Sequence, residues 1–318
     1  MRRRLVLLIV LSLVSPVFAG QSLRVDVRLV NVFATVTDSA GRYVGGLTKD
    51  DFNLDEDGVP QAIAHFSQDE QVPVSVGILF DASGSMENKL RTATMAVDRF
   101  IRTIHPDDDI FLMTFAGRTG LRQDFTDNRE KLSKALRSIT ATGATSLYDA
   151  LEEGLTKIKA GRHQKRAILL ITDGADTGSA TRFPEALRHL RESELLVYPL
   201  GISAISYASG SEHVPFNWPP PLSGSVRTGV SNRRDAVDMD VLHTLANESG
   251  GHAFLLNDSL IGNTGQIDKI LSQVAEELRS QYTLAFYPAH PDDGRFHTLK
   301  VRTKPGLQVR ARPGYAAR

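Results

Sequence analysis

The sequence predicts an α/β fold, a doubly wound and mostly parallel sheet, with a β-sandwich module formed by the N- and C-terminal flanks. Three observations lead there. Near-continuous apolar runs such as Val74 to Phe80 alternate with segments of helical periodicity across the middle of the chain, as expected for strands buried on both faces of a parallel sheet. Both ends instead carry short alternating strands punctuated by turns. Each end is too small to be stable alone, so the economical arrangement pairs them in one module with the α/β unit inserted between them.

The chain opens on a different signal. Arg2, Arg3 and Arg4 precede the apolar run Leu5 to Val14, Pro16 breaks it, and Val17-Phe18-Ala19 precedes a cut near Ala19 or Gly20. This is the three-part layout of a secretory signal peptide. A membrane anchor is the alternative reading, but the run falls short of the ~20 apolar residues needed to span. The expectation is an exported protein of periplasm, cell envelope or exterior, with no transmembrane segment once the leader is cut. Absence of cysteine excludes disulfides, thiolate metal sites and a lipidated cysteine.

Val25, Val27 and Leu29, then Val32, Ala34 and Val36, alternate as strands with one buried face. Asp57-Gly58, flanked by Phe52/Leu54 and Ile63/Phe66, marks a hairpin. After Pro73 come buried strands at 74–80, 110–115, 167–172, 195–201 and 252–256, and an antiparallel edge strand at 121–125. Helical patterns lie at 90–104, 129–139, 146–160, 183–191, 239–249 and 266–279. Alternating strands return at 282–287, 296–303 and 307–312. The expected boundaries are 1–20 for the leader, 21–71 for the first β segment, 72–281 for the α/β domain and 282–318 for the second β segment. The connection from Ser203 to Asp238 has no periodicity; because its strand is parallel, it should emerge on the ligand face. Trp218, Arg233 and Arg234 within it are candidates for shaping partner choice, against the alternative of a plain spacer.

Chemistry concentrates at strand ends. Asp81-Ala82-Ser83-Gly84-Ser85 closes the first buried strand directly before a helix. A carboxylate and two hydroxyls at alternate positions of a turn can converge, and such hard oxygens suit a hard divalent cation. The same pentapeptide could be a helix N-cap alone. It is joined by Gly143-Ala144-Thr145-Ser146 before another helix, and by Ile171-Thr172-Asp173-Gly174 at the end of a second core strand. In a doubly wound sheet these ends face one crevice, so the candidate metal residues are Asp81, Ser83, Ser85, Thr145 and Asp173. Asp176 reads as loop surface, and Glu87 and Asp149 as caps or solvent-facing helix residues.

Asp81-x-Ser83-x-Ser85, Thr145 in Gly-x-Thr and Asp173 in Thr-Asp-Gly resemble the metal-ion-dependent adhesion site (MIDAS) of von Willebrand factor A domains. The resemblance runs over roughly Val72 to Ser280, about two thirds of the chain. The opening Val25 to Val32, the segment Gly46 to Phe52 and the ending Arg312-Pro313-Gly314-Tyr315 resemble the exported acidobacterial relatives of that family. The resemblance implies a divalent cation, Mg²⁺ first with Mn²⁺ or Ca²⁺ as alternatives. Ser83, Ser85 and sometimes Thr145 would touch the metal, with Asp81 and Asp173 acting directly or through water. An open coordination position would accept an Asp or Glu carboxylate of a protein partner. In relatives, movement of the helix corresponding to 266–279 couples the site to neighbouring domains.

The implied function is adhesion-type protein binding without catalysis. A scaffolding role in an envelope complex is the second reading, and a metal-dependent hydrolase a third. Against hydrolysis, Ser83 stands where an aspartyl phosphotransferase needs a second carboxylate, and the Gly-x-Ser-x-Gly elbow is absent. His105, His163, His189 and His243 share no pattern. Lysine plus arginine equal aspartate plus glutamate at 37 each, so no basic field points to nucleic acid.

Overall fold

The computed structural model describes residues 29–68, 72–203, 237–257, 264–289 and 293–317. The first β segment contributes β1 (Val30–Thr37), β2 (Asn53–Glu56), β3 (Val59–Gln61) and β4 (His65–Gln68). The α/β unit follows as β5 (Val74–Asp81), α1 (Leu90–Thr103), β6 (Asp109–Phe115), β7 (Thr119–Thr126), α2 (Arg129–Arg137) and α3 (Leu147–Lys157). It continues with β8 (Lys165–Thr172), α4 (Phe183–Ser193), β9 (Leu196–Ser203), α5 (Met239–Ser249), β10 (Phe254–Asn257) and α6 (Thr264–Ser280). Then come β11 (Tyr282–Phe286), β12 (Phe296–Arg302), β13 (Gln308–Ala311) and β14 (Gly314–Ala316).

The central sheet has the order β10-β9-β8-β5-β6-β7, parallel throughout except for the antiparallel edge strand β7. Every residue of β5 is buried, because helices cover both faces. Val74, Val76, Ile78 and Phe80 point into the layer shared with α1, α2 and α6. Leu79 points the other way, towards Leu147 and Leu151 of α3 and Leu190 of α4. The period of two along one strand thus feeds two cores. Gly77 leaves room on that second face for the Phe111 ring, whose nearest atom would lie 2.5 Å from an added Cβ.

The two chain ends interleave, as the fold class predicts. β1 pairs antiparallel with β11 and β13 in a sheet of order β13-β1-β11-β4, and β2 pairs with β12 in a sheet of order β14-β12-β2-β3. Val32 and Ala34 from the first sheet meet Leu54 and Leu299 from the second in one core, which makes the pair of sheets a sandwich. The Asp57-Gly58 hairpin forms between β2 and β3 with both residues at positive φ (48° and 80°), the requirement of a type I′ turn.

A polar junction fastens the sandwich to the α/β unit. Glu277 of α6, 1% exposed, pairs with Arg310 of β13, and the Tyr43 hydroxyl donates to Glu277 at 3.2 Å. Arg310 Nη1 donates to His252 Nδ1 at 2.6 Å. Burial first, and the Arg310 cation second, push the His252 pKa from 6.5 down to about 4. Above pH 6.5 the ring is neutral in folded and unfolded chains alike. As pH falls from 6.5 towards 4, the unfolded chain takes up a proton that the fold refuses, so stability declines across that window. His252→Asn is expected to flatten this acid limb in urea unfolding series, whereas an unchanged slope would remove His252 from the acid response.

Candidate metal centre

β5 lies at the topological switch point of the sheet. The chain leaves it for β6 on one side and later returns to β8 on the other, which opens a crevice beyond the carboxyl ends of the strands. Asp81 is the last residue of β5 and Asp173 follows β8 immediately. The pairing Phe80↔Ile171 therefore brings the two strand ends side by side. Both carboxylates are buried, at 0% and 2% exposure.

Local hydrogen bonds fix each donor. Asp81 Oδ1 accepts from Ser83 N at 2.9 Å, and Oδ2 accepts from the Thr172 hydroxyl at 2.7 Å. These contacts hold the carboxylate in the turn, with Ser83 Oγ and Ser85 Oγ 3.1 Å apart. Ser83 is buried, while Gly84 and Ser85 are exposed, so the turn has an open side. After Ser83 the chain enters a short 3-10 turn, Gly84–Lys89, before α1.

The loop carrying Thr145 is strapped across this turn. Gly84 N donates to Gly143 O at 3.0 Å, and Thr142 N to Ala82 O at 2.7 Å. An added Cβ on Gly84 would sit 3.3 Å from Gly143 O, so the glycine permits the close approach. On its other side Thr145 is tied to the loop after Asp173: Thr145 N donates to Thr177 Oγ1, and Thr177 N and Gly178 N donate to Thr145 O, all at 2.9 Å. The structure thus assembles the three segments of all five sequence-predicted residues into one cross-linked cluster at the carboxyl ends of the two central strands.

Two acidic residues take roles other than those expected. Asp176 is half-buried rather than loop surface. Its Oδ1 accepts from Leu147 N at 2.8 Å, while Ser179 Oγ accepts from Tyr148 N at 3.0 Å. Together they satisfy N–H groups that the first turn of α3 leaves unpaired. Asp149 neither caps its own helix nor faces solvent alone; it accepts from Ala180 N and Thr181 N at 2.9 Å. Glu87 is exposed, as expected.

Thr172 and Lys89 were not among the sequence candidates. Thr172 could have been found as the hydroxyl adjoining Asp173 at the strand end. Lys89 had no such signal: it is 0% exposed, and its Nζ donates to Asp173 Oδ2 at 2.9 Å. Asp173 Oδ1 accepts from Ala175 N at 3.2 Å. Trp218, Arg233 and Arg234 lie outside the described residues. Among the described residues, Asp238, just before α5, meets the site: its N donates to Asp173 O at 2.8 Å.

Burial pushes the Asp81 pKa up to about 6, with neighbouring Asp173 adding to the rise and bonds from Ser83 and Thr172 opposing it. A buried carboxylate with a second one beside it is stabilised by a cation, and hydroxyl oxygens are its natural co-ligands. Among the described residues, no group of three or more His, Cys, Asp or Glu side chains is arranged to hold a metal ion. A metal here depends on the hydroxyls, which favours hard ions over soft ones.

A doubly wound α/β domain with a carboxylate–hydroxyl cluster at its switch point is the class that fold and site define. Residues 76–175 match the family of von Willebrand factor type A domains. A UPF0353 protein of Nocardia farcinica is 28% identical over 220 residues, 64% of this chain and 64% of that relative. The chain thus spans just under two thirds of that relative's length. Among solved structures, the von Willebrand factor type A protein of Catenulispora acidiphila aligns with a TM-score of 0.48 at 11% identity, covering 84% of this chain and 72% of its own. Proximal thread matrix protein 1 of mussel byssus, solved with a zinc-occupied MIDAS motif, aligns with a TM-score of 0.48 at 15% identity, covering 70% and 50%. Among the described residues no helix is long and apolar enough to cross a membrane.

Proposed function

We propose that this chain is an exported binding protein that holds a divalent cation, Mg²⁺ first, at Asp81, Ser83, Ser85, Thr145 and Asp173. Through that ion it takes an Asp or Glu carboxylate of a partner protein. The observation that carries the reading is the strapped cluster at the ends of β5 and β8: two buried carboxylates beside paired hydroxyls 3.1 Å apart, with one side open. When bound, the ion supplies a Lewis-acidic position that an external oxygen can fill. The chain's own residues orient the donors and keep the turn closed on its inner side. Two features of the sequence support binding rather than turnover: Ser83 stands where an aspartyl phosphotransferase needs a second carboxylate, and no Gly-x-Ser-x-Gly elbow accompanies the serines. The Arg2–Arg4 leader and the apolar run after it support export.

The test is recovery of partners from envelope extract by wild type and Asp81→Ala, each with and without chelator. Partners retained only by metal-loaded wild type support the proposal. Equal retention in all four arms would make the cluster irrelevant to binding and favour a scaffold held by another surface. A hydrolytic activity lost with the same substitution would favour an enzyme.

A further inference from the structure

Among the described residues, Lys89 is the buried cation in contact with the cluster, and it is not one of the proposed donors. It ends the 3-10 turn that starts at Gly84, so the segment that presents Ser85 also delivers the ammonium. Its whole side chain is out of water, with Nζ 2.9 Å from Asp173 Oδ2. Burying an ammonium is costly unless it is paired, and an apolar residue would fill the same space without that cost. The position therefore has an electrostatic consequence that packing does not explain.

That consequence follows from counting charge. Asp81 and Asp173 bring two negative charges to the cluster and Lys89 one positive, leaving a net single negative charge. A divalent ion then leaves a net positive centre, and a carboxylate from outside restores neutrality. Without Lys89 the ion alone would neutralise the cluster, and an incoming carboxylate would make it negative. Resting on the metal reading above, we infer that Lys89 is a built-in counter-cation with two effects. It holds Asp173 in place when no metal is bound, and it weakens metal affinity in exchange for a centre that demands an anionic partner group.

Thermal unfolding of the full chain in chelator and in saturating Mg²⁺, with calorimetric Mg²⁺ titration, tests this on wild type and Lys89→Met. For wild type, Mg²⁺ should raise the unfolding midpoint modestly. For Lys89→Met the midpoint in chelator should fall, because Asp173 is left buried without its partner, and Mg²⁺ should restore most of the loss. Its Mg²⁺ affinity should be about tenfold tighter or more, as removal of a buried like charge is worth at least one such step. A purely structural lysine predicts an equal loss in both media with unchanged or weaker affinity, and that result would overturn the inference. Absence of any Mg²⁺ effect on wild type overturns the metal site itself and the inference with it. Should Lys89→Met fold in neither medium, the double variant Lys89→Met/Asp173→Asn decides. Folding with a chelator-independent midpoint supports the charge role, and failure to fold assigns Lys89 to packing.

Discussion

Asp81→Asn is expected to reduce Mg²⁺ affinity by more than ~100-fold while the chain stays folded. Loss of a group that merely supports a metal ligand already costs about 10–100-fold, and Asp81 is closer to the centre than that. Asp173 shares its charge with Lys89, which leaves Asp81 as the main source of uncompensated negative charge in the cluster. Asparagine keeps the shape and an acceptor oxygen for Ser83 N or Thr172 Oγ1, the two donors that Asp81 satisfies. The substitution also removes a carboxylate whose pKa burial has raised to about 6, so stability in chelator should change little or improve. Calorimetric titration beside urea unfolding separates the two effects. An affinity indistinguishable from wild type would show that Asp81 serves only as a turn-forming residue.

Glu277→Ala is expected to destabilise the fold by about 3 kcal/mol, the lower end of the usual cost of breaking a buried ion pair, because Arg310 keeps partial access to solvent. Arg310 would keep its charge between α6 and the sandwich with its carboxylate gone, and the Tyr43 hydroxyl would lose its acceptor on Glu277. Replacing both members, as in Glu277→Leu/Arg310→Met, should recover much of the loss, since apolar residues of similar volume avoid the desolvation cost. Equal destabilisation by single and double variants would contradict the isolated-charge explanation. The pair also bears on coupling along the chain. α6 links the α/β unit to β11, and the Glu277–Arg310 pair pins it to β13, so movement of this helix relative to the sandwich would strain that pair.

The α/β architecture was legible because its strands are extreme. Val74–Phe80 and Ala167–Thr172 are apolar on both faces, and only a sheet covered on both sides accepts such runs. The cluster was legible for a related reason: in this topology strand ends define the crevice, so Asp81 and Asp173 could be placed without knowing any side-chain position. Partners were harder to read. Alternation marks β1 as a strand but does not say that it lies between β11 and β13, because register across long sequence separation leaves no local trace. Lys89 was invisible for a similar reason. One residue before α1, a lysine ordinarily reads as solvated, and only the assembled crevice shows that it points inward to Asp173. Asp176 was misplaced because its capping target, the start of α3, comes 29 residues earlier in the chain. Such a reciprocal cap has no counterpart in the sequence rules for a helix that caps itself.

The most direct test of the central claim is the position of a bound ion. Crystals of the full chain soaked in Mn²⁺ should give one anomalous peak per chain, with Ser83 Oγ and Ser85 Oγ at roughly 2.1–2.3 Å, the range of a hard divalent ion bound by oxygen. Thr145 and Asp81 should face the same ion, directly or through water. A peak elsewhere, or none under conditions that saturate binding in solution, would contradict a metal centre at the ends of β5 and β8.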